Sequence, residues 1–446
     1  MLILWGCAMP KRTGQKISFS KQGRRKIEAF FEGGNISSDG GILLLRETDN
    51  RERLTADVAK ALKDPRDPNR ITHSLEQQVK QRIYGLGLGY EDLNDHQDLR
   101  HDIAFQTATE SSKVLSSPST LCRFERTADR ETIIKLHEVL FEKFVNSFKK
   151  SPKALTLDFD ATDDPVHGEQ ENRFFHGYYG HYCFLPLYVF CGKQLLVSYL
   201  RPSNIDGAKH AWAILSLLVK QLRKHWADVK ITFRGDGGFC RHKMLSWCER
   251  HDVDYIIGIA KNTRLTEKSK DLCELAKKTY EESQEKQRLF CDFHYAAKTW
   301  KKRERRIIVK AEYTEKGANT RFIITTLDGE PQALYDEIYC ARGEMENRIK
   351  EQQMDLFADR TSCTDWWANQ FRLMLSSFAY VLVETLRRVY LEGTELAQAQ
   401  VGTIRLKLLK IGAVIIRNTR RVQFLLASHY PFQDLFVKLA ARLIPG

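Results

Sequence analysis

The sequence of 446 residues lacks several features that would assign it to other classes of protein. None of its ten cysteines belongs to a C-x-x-C pair, a spacing typical of zinc and redox sites, so free thiols in a reducing compartment are favoured. No stretch reaches the roughly 18 uncharged apolar residues that a membrane span needs. The apolar start runs into Lys11 and Arg12 without the basic beginning of a signal peptide, and either Met1 or Met9 fits as the first residue. These absences predict a cytoplasmic protein with no membrane segment.

What the sequence does have is an excess of positive charge. The formal net charge is +13, 28% of the residues are charged, and the pI is about 9.1. This balance favours a polyanionic partner, and we expect a nucleoid-associated protein. Residues 11–26 hold seven basic side chains, Arg24 and Arg25 among them, and no acid. We interpret them as a basic DNA-contacting arm, although a solvated flexible terminus fits the same pattern.

The pattern of the chain divides it into five regions. Residues 1–150 are expected to form a mainly helical DNA-binding region that includes the basic arm, and residues 151–262 the first part of a catalytic core. A β-rich insertion follows at 263–334, and the second part of the core at 335–385. The C-terminal region, 386–446, is predicted to be basic and helical because apolar residues alternate with Lys and Arg.

Five strands are predicted in the core, with helices after the third and the fourth. They cover residues 154–160, 182–190, 194–200, 229–233 and 254–260. Three antiparallel strands, a helix, a strand, a helix and a strand is the order of an RNase H-like fold. We therefore predict an α/β protein with a mixed five-stranded sheet and helices. Pro186 lacks the N–H that a central strand needs, so the second strand is expected to bulge or to begin later.

Two of these strands end in carboxylates. Asp158 and Asp160 lie in the first strand, and Asp236 follows the fourth, between glycines that let the backbone approach a phosphate closely. The two strands are neighbours in the proposed sheet, so the acids converge. Carboxylates from separate elements suit Mg²⁺, which prefers hard oxygen ligands. Asp160 is the preferred first ligand because it lies nearer the end of the strand, and Asp158 stays the alternative, since both point to one face.

A third acid lies on a predicted helix. Tyr339, Arg342 and Glu346 are spaced to share one helical face, and Lys350 extends that face. A carboxylate between cations can bind a metal and anchor phosphates, although such a face is more often simply solvated. Glu344 is the competing acid, but it points away from the face of Arg342.

These motifs resemble those of insertion-sequence DDE transposases, in the branch with a β-insertion before the last acid. The signature of that branch is Tyr, two residues, Arg, three residues, Glu, six residues, Lys. Tyr339, Arg342 and Glu346 have the spacing of this signature, and Gln353 stands where the lysine is expected. Lys350 is expected to take over the phosphate contact of that lysine. The segments Asp160-Ala-Thr and Gly-Asp236-Gly-Gly-Phe resemble the motifs of the first and second aspartates.

The resemblance implies a function and a set of site residues. Asp160, Asp236 and Glu346 are expected to be the catalytic metal ligands, with Mg²⁺ as the cofactor and Mn²⁺ able to replace it. The expected partners are terminal inverted repeats, target DNA and a second copy in a synaptic homodimer. Trp300 and its neighbour Lys301 in the insertion are expected to contact DNA, as in relatives that flip a base onto an aromatic residue, although an ordinary tryptophan of the core or the surface fits Trp300 as well.

Two other functions remain open on sequence grounds. An RNase H-like nuclease or resolvase would share the three acids but would not join strands. A domesticated DNA-binding protein would need no acids, so the full set argues against it. The histidines that follow the first aspartate, His167, His176 and His181, match no standard zinc spacing and are expected to have a structural or substrate-loop role.

Overall fold

The computed structural model describes residues 15–300 and 303–444. The N-terminal part forms a hairpin, one short strand and then seven helices. The strands are β1 (Ile17–Gln22), β2 (Arg25–Ala29) and β3 (Ile36–Ser37). The helices are α1 (Ile42–Glu52), α2 (Leu54–Ala61), α3 (Leu75–Leu88), α4 (His96–Leu99), α5 (Ile103–Ala108), α6 (Pro118–Glu125) and α7 (Arg130–Asn146). Ser74 starts α3 with a capping box, in which it and Gln77 each accept the other's backbone N–H.

The middle of the chain alternates strands and helices as the sequence predicts. Its strands are β4 (Ala154–Ala161), β5 (Asp164–Pro165), β6 (Phe174–His176), β7 (His181–Phe184), β8 (Leu187–Cys191), β9 (Gln194–Tyr199), β10 (Lys230–Gly235) and β11 (Asp254–Ile259). Helix α8 (Ala211–His225) follows β9, and α9 (His242–Arg250) follows β10. The predicted strand 182–190 is wrong as a single element. It breaks at Pro186 into β7 and β8, because proline cannot donate to the ladder.

The central sheet has the RNase H-like arrangement. Its core order is β11-β10-β4-β8-β9, in which β4, β8 and β9 are antiparallel and β4, β10 and β11 are parallel. The register puts Gly235 beside Phe159, so Asp236 follows at the level of Asp160. The carboxyl ends of β4 and β10 therefore meet at one edge of the sheet.

The insertion enlarges this sheet. Helices α10 (Thr263–Lys268) and α11 (Lys270–Ser283) lead into β12 (Gln287–Tyr295), β13 (Arg305–Thr314), β14 (Gly317–Ala318) and β15 (Arg321–Thr325). Strand β15 pairs with β11, and β13 and β12 continue outward, so the sheet has nine strands instead of the predicted five. The insertion strands share the core of the central sheet because Ile257 of β11 lies directly opposite Ile324.

The chain then returns to helix. The elements are α12 (Pro331–Ala333), α13 (Gly343–Lys350), α14 (Trp366–Thr385), α15 (Val401–Ile404), β16 (Ala413–Arg417), β17 (Val422–Leu426) and α16 (Gln433–Leu443). A π-helical turn (Leu334–Tyr339) and a 3₁₀ turn (Cys340–Arg342) join α12 to α13, and such interruptions are frequent at functional sites. The predicted helical C-terminal region is wrong over residues 413–426. Strand β16 contains the β-branched residues Val414, Ile415 and Ile416, and it pairs with both β17 and β3 in one sheet.

Two hydrophobic cores sandwich the sheet. Leu187 and Val189 of β8 pack with α8 and α9 on one side, whereas Tyr188 and Phe190 pack with α14 on the other. Helix α14 is buried around nearly its whole circumference and shares its core with the helices of the N-terminal region. Those helices and the C-terminal part therefore cover this face of the sheet and share one hydrophobic core with it.

Candidate active site

Two acids meet where β4 and β10 end. Asp160 is the penultimate residue of β4, and Asp236 directly follows β10. Asp236 caps the 3₁₀ turn Gly237–Phe239, where its Oδ1 accepts the Gly238 N–H at 2.9 Å. The turn forms here because the glycines leave room for the backbone to fold onto the carboxylate. Both acids consequently lie at the open edge of the sheet.

Arg342 brings the third acid to this pair. Its Nη2 lies 2.5 Å from Glu346 Oε1, and its Nη1 lies 3.6 Å from Asp160 Oδ2. Burial tends to lower the pKa of Arg342, but Asp160 and Glu346 outweigh burial and raise it. The guanidinium is therefore the charge that holds the acid of the sheet and the acid of the helix together.

The electrostatics of Asp160 reflect how close the three acids lie. Its pKa is raised to about 7, with burial as the largest cause; Arg342 opposes the rise, and the neighbouring Asp236 and Glu346 contribute to it. The charged form of this carboxylate is therefore destabilised, and a bound cation would stabilise it. Oxygen-only donors at an open sheet edge fit a divalent ion such as Mg²⁺ or Mn²⁺. As the side chains stand, no set of three His, Cys, Asp or Glu within the described ranges is arranged to hold a metal.

Asp158, the alternative first acid, has a different environment. It is buried and forms a two-pronged ion pair with Arg234 of β10, in which Nη2 lies 2.7 Å from Asp158 Oδ2. Arg234 also donates to the backbone carbonyl of Ile338, just before Tyr339. Through Arg234, Asp158 therefore connects β4 and β10 to the π-helical turn before α13, and both of its carboxylate oxygens are engaged.

Tyr339 and Arg342 line a cleft beside the acids. The cleft has a volume of about 440 Å³, and its rim carries Lys261 and Arg321. A Cβ at Gly258 would lie 2.8 Å from the Tyr339 hydroxyl, so only glycine lets this tyrosine reach the end of β11. Burial raises the pKa of Tyr339, so its hydroxyl stays a neutral donor. The cleft combines cations and aromatic rings, which suits a nucleotide and its phosphates. Lys261 and Arg321 were missed in the sequence because only the pairing of β15 with β11 brings them together.

The remaining helix residues separate into two sides. Glu344 lies 3.2 Å from Arg348 and 4.0 Å from Lys193, away from Asp160. Lys350 is exposed and forms no ion pair or hydrogen bond with any residue that the structure describes. Gln353, in the position of the signature lysine, donates from Nε2 to the Asp163 carbonyl at 3.1 Å. Gln353 thus ties the helix to the loop after β4, a contact that the sequence pattern did not reveal.

The other expected DNA contacts are Trp300, Lys301, Arg24 and Arg25. Trp300 is buried against Tyr295, at 5.5 Å between ring centroids, and Arg305 lies over its ring. The expectation that Trp300 faces DNA is therefore wrong for this conformation, because the ring completes the core of the insertion. Lys301 lies outside the described residues. Arg24 and Arg25 are exposed at the turn of the β1–β2 hairpin.

Known proteins resemble this chain over most of its length. The family model described as Transposase DDE domain group 1 matches residues 19–445. No curated protein sequence matches the chain. Seven chains of solved structures match it. One, the cryo-EM structure of a piggyBac transposase synaptic complex with hairpin DNA, has 11% sequence identity and a TM-score of 0.43, over 82% of this chain and 78% of that chain. No helix in the described part of the chain is both long and apolar enough to span a membrane.

Proposed function

The chain belongs to the Transposase DDE domain group 1 family and is a DDE-type DNA transposase, and we propose that it cuts the ends of a mobile element and joins the freed 3′-OH ends to target DNA. The observation that carries this proposal is the meeting of Asp160, Asp236 and Glu346 around Arg342 at the open edge of an RNase H-like sheet. The Glu346 side chain is 42% exposed, and Asp160 and Arg342 are partly exposed, so a DNA backbone can reach one side of the cluster.

Asp160, Asp236 and Glu346 are the proposed catalytic residues. Proteins of this family generally use a divalent metal, and these three carboxylates would hold it, with Mg²⁺ as the proposed ion and Mn²⁺ as a substitute. When bound, such an ion stabilises the charge that develops on the attacking and leaving oxygens of the phosphodiester. The carboxylates must be ionised for this role, so the raised pKa of Asp160 makes its deprotonation part of assembling the site.

The cations around the acids are the proposed phosphate contacts. Arg342 sits between two carboxylates and can turn one N–H toward a phosphate oxygen while it keeps the other carboxylate. Lys261 and Arg321 on the cleft rim and the exposed Lys350 would hold the flanking phosphates. Arg24 and Arg25 at the tip of the β1–β2 hairpin would add affinity that falls with salt.

The proposed assembly is a homodimer on two inverted-repeat ends, acting within the nucleoid. Joining both ends of one element to one target requires two active sites, and each chain supplies one cluster of acids. Two copies in a symmetric arrangement meet that requirement most simply.

The decisive experiment assays cutting and joining separately. Labelled duplexes that carry the ends of the element are incubated with the protein, Mg²⁺ or Mn²⁺ and a circular target, and the products are resolved on denaturing and native gels. Asp160→Asn, Asp236→Asn and Glu346→Gln should each lose both products while they still bind the ends. Lys220→Ala, an exposed lysine on α8, is the control with normal activity. Cutting without joining would favour the nuclease, and no cutting by the unaltered protein with either ion would overturn the proposal.

A further inference from the structure

A small lobe leaves the central sheet directly after Asp160 and returns to it at β8. It contains the three-stranded sheet β5-β7-β6, in which β6 and β7 form a hairpin with Gly177 and Gly180 in its tip. We call the segment 173–184 the aromatic hairpin. Because the lobe that carries the hairpin starts directly after β4, a ligand bound near the base of the hairpin would lie beside the acids.

The base of the lobe is bonded to the helical segment directly after α13 and to the residues just before α14. His181 Nε2 lies 2.9 Å from Asp163 Oδ2, and the Asp163 carbonyl accepts from Gln353. Farther along, the Glu171 N–H donates to the Thr364 carbonyl at 3.0 Å. The hairpin therefore has a defined position relative to the acids.

The tip of the lobe exposes an unusual amount of aromatic surface. Tyr178 is 86% exposed, Phe175 56%, Tyr182 47% and Phe174 38%. Large aromatic side chains are normally buried, and several exposed rings on one short hairpin mark an interaction surface.

Tyr179 and Tyr178 lead from the acids to solvent, and Phe175 and Tyr182 form a second pair of rings. Tyr179 lies close enough to Asp163 and Asp160 that both, after burial, help to raise its pKa to about 12. Its ring centroid lies 5.0 Å from Tyr178 and 4.9 Å from His176. On the outer side, Phe175 contacts Tyr182, and Arg173 lies over the Tyr182 ring at 4.5 Å.

The side chains of the hairpin indicate which kind of ligand these rings bind. From Arg173 to Phe184 the sequence contains one arginine, two histidines and no acid. Arg173 is paired with Glu169, so the hairpin carries little net charge and does not repel a polyanion. Its exposed rings suit the flat faces of nucleobases, which stack on aromatic side chains whatever the sequence. Base pairs inside a duplex do not offer those faces, so the fitting ligand is a strand with unpaired bases.

We propose that the aromatic hairpin stacks unpaired bases of the DNA strand whose phosphodiester lies at Asp160, and so holds the end of the element open for cutting. This inference rests on the proposed function, since it takes DNA at the acids as given. Tyr178 and Phe175 are the proposed stacking residues, and Tyr179 links Tyr178 to the site.

The test compares two forms of the same DNA end. The full-length protein binds, in EDTA and at fixed salt, a fluorescent duplex that is paired to its end and a matched duplex whose terminal pairs are mismatched. The unaltered protein should bind the mismatched end more tightly. Tyr178→Ala and Phe175→Ala should each weaken binding to the mismatched end by about 5- to 100-fold, the range for one lost stacking contact, and change binding to the paired end little. Both side chains are largely exposed, so thermal unfolding should be unaltered.

Two further variants separate stacking from simple apolar contact. Tyr178→Phe keeps a ring and should retain the preference for the mismatched end, whereas Tyr178→Leu keeps only apolar surface and should lose it. Equal weakening on both DNA forms, or a leucine variant as good as the phenylalanine variant, would overturn the proposal. A loss of dimer mass with the DNA preference intact would assign the surface to a second copy instead and also overturn it. If the protein cuts DNA normally in these cases, the proposed function stands and only this inference fails.

Discussion

Asp158 and Asp160 lie two residues apart on the same face of β4, and each contacts an arginine, yet the two regions around them differ sharply. The pair of Asp158 and Arg234 is buried, two-pronged and closed by the Ile338 carbonyl. The contact of Asp160 with Arg342 is single, at 3.6 Å, and both side chains are partly buried. Arg234 lies within strand β10, whereas Arg342 ends the 3₁₀ turn directly before α13.

The difference shows how one strand supplies both a structural acid, Asp158, and an acid that can bind a ligand, Asp160. A buried ion pair fixes geometry, because removing one partner leaves the other charged and unsolvated. An open pair can exchange partners, because water and ligands compensate for what it loses. Asp158 therefore fixes the position of the helix, and Asp160 is left able to bind a metal ion.

The largest effect that sharpens this contrast is on catalysis. Asp160→Asn should lower the rate of strand cutting by at least about a thousandfold, because it removes a proposed metal ligand that contributes several kcal/mol to the transition state. Gel assays of end cutting measure it, with binding to the same DNA as the reference. Cutting that survives in Asp160→Asn would show that the open acid is not a ligand.

Asp158→Asn should act mainly on stability. The free energy of unfolding should fall by about 3–5 kcal/mol, since Arg234 would remain buried without its counter-charge. Urea denaturation followed by circular dichroism measures this, and Asp160→Asn is the matched variant two residues away. Equal stability losses for the two variants would erase the proposed division between support and reactive group.

The pH dependence of stability should report on Asp160 in the absence of divalent metal, in comparison with Asp160→Asn. The pKa of Asp160 is raised to about 7 from an ordinary 3.8, so the folded protein keeps a proton that the unfolded chain releases between these values. Stability therefore falls as pH rises from about 4 to about 7, by roughly 1–4 kcal/mol relative to Asp160→Asn, which does not titrate. Denaturation curves across this range measure the difference. A relative stability that rises with pH would mean that the cations outweigh burial at Asp160.

The fold followed from the sequence where pattern and chemistry agree locally. The five core strands were placed by their apolar runs, and even Pro186 marked where β7 ends and β8 begins. The strands β16 and β17 were missed because their basic and apolar residues also fit a helix, and pairing with β3, far away in sequence, decides the outcome.

The candidate site was predictable to a similar degree. Spacing and strand ends were enough to bring Asp160, Asp236 and Glu346 toward one another. Spacing could not show that Arg342 lies between two of these acids or that Trp300 is buried. Both depend on how the insertion strands extend the sheet, a long-range packing choice that no local pattern encodes.

The smallest expected effect concerns the cation beyond Glu346. Lys350 is exposed one helical turn after Glu346 and has no partner among residues 15–300 and 303–444, so its ammonium is available to a phosphate near the acids. Lys350→Ala should slow strand cutting by about tenfold, the size of one charge-assisted hydrogen bond, with thermal unfolding unaltered. Lys220→Ala, on the exposed side of α8, should leave the rate unchanged.

Gln353 decides whether Lys350 replaces the signature lysine. The Gln353 side chain already donates to the Asp163 carbonyl, so a lysine there would start from the same edge of the site and bring a charge. In the Lys350→Ala background, Gln353→Lys should recover part of the lost rate if the two positions serve one phosphate, because either ammonium can then neutralise it. The single variant Gln353→Lys should change the rate little, since the phosphate already has its cation. Normal cutting by Lys350→Ala would contradict this assignment. Arg342 would then be the cation on which phosphate binding beside Asp160 depends.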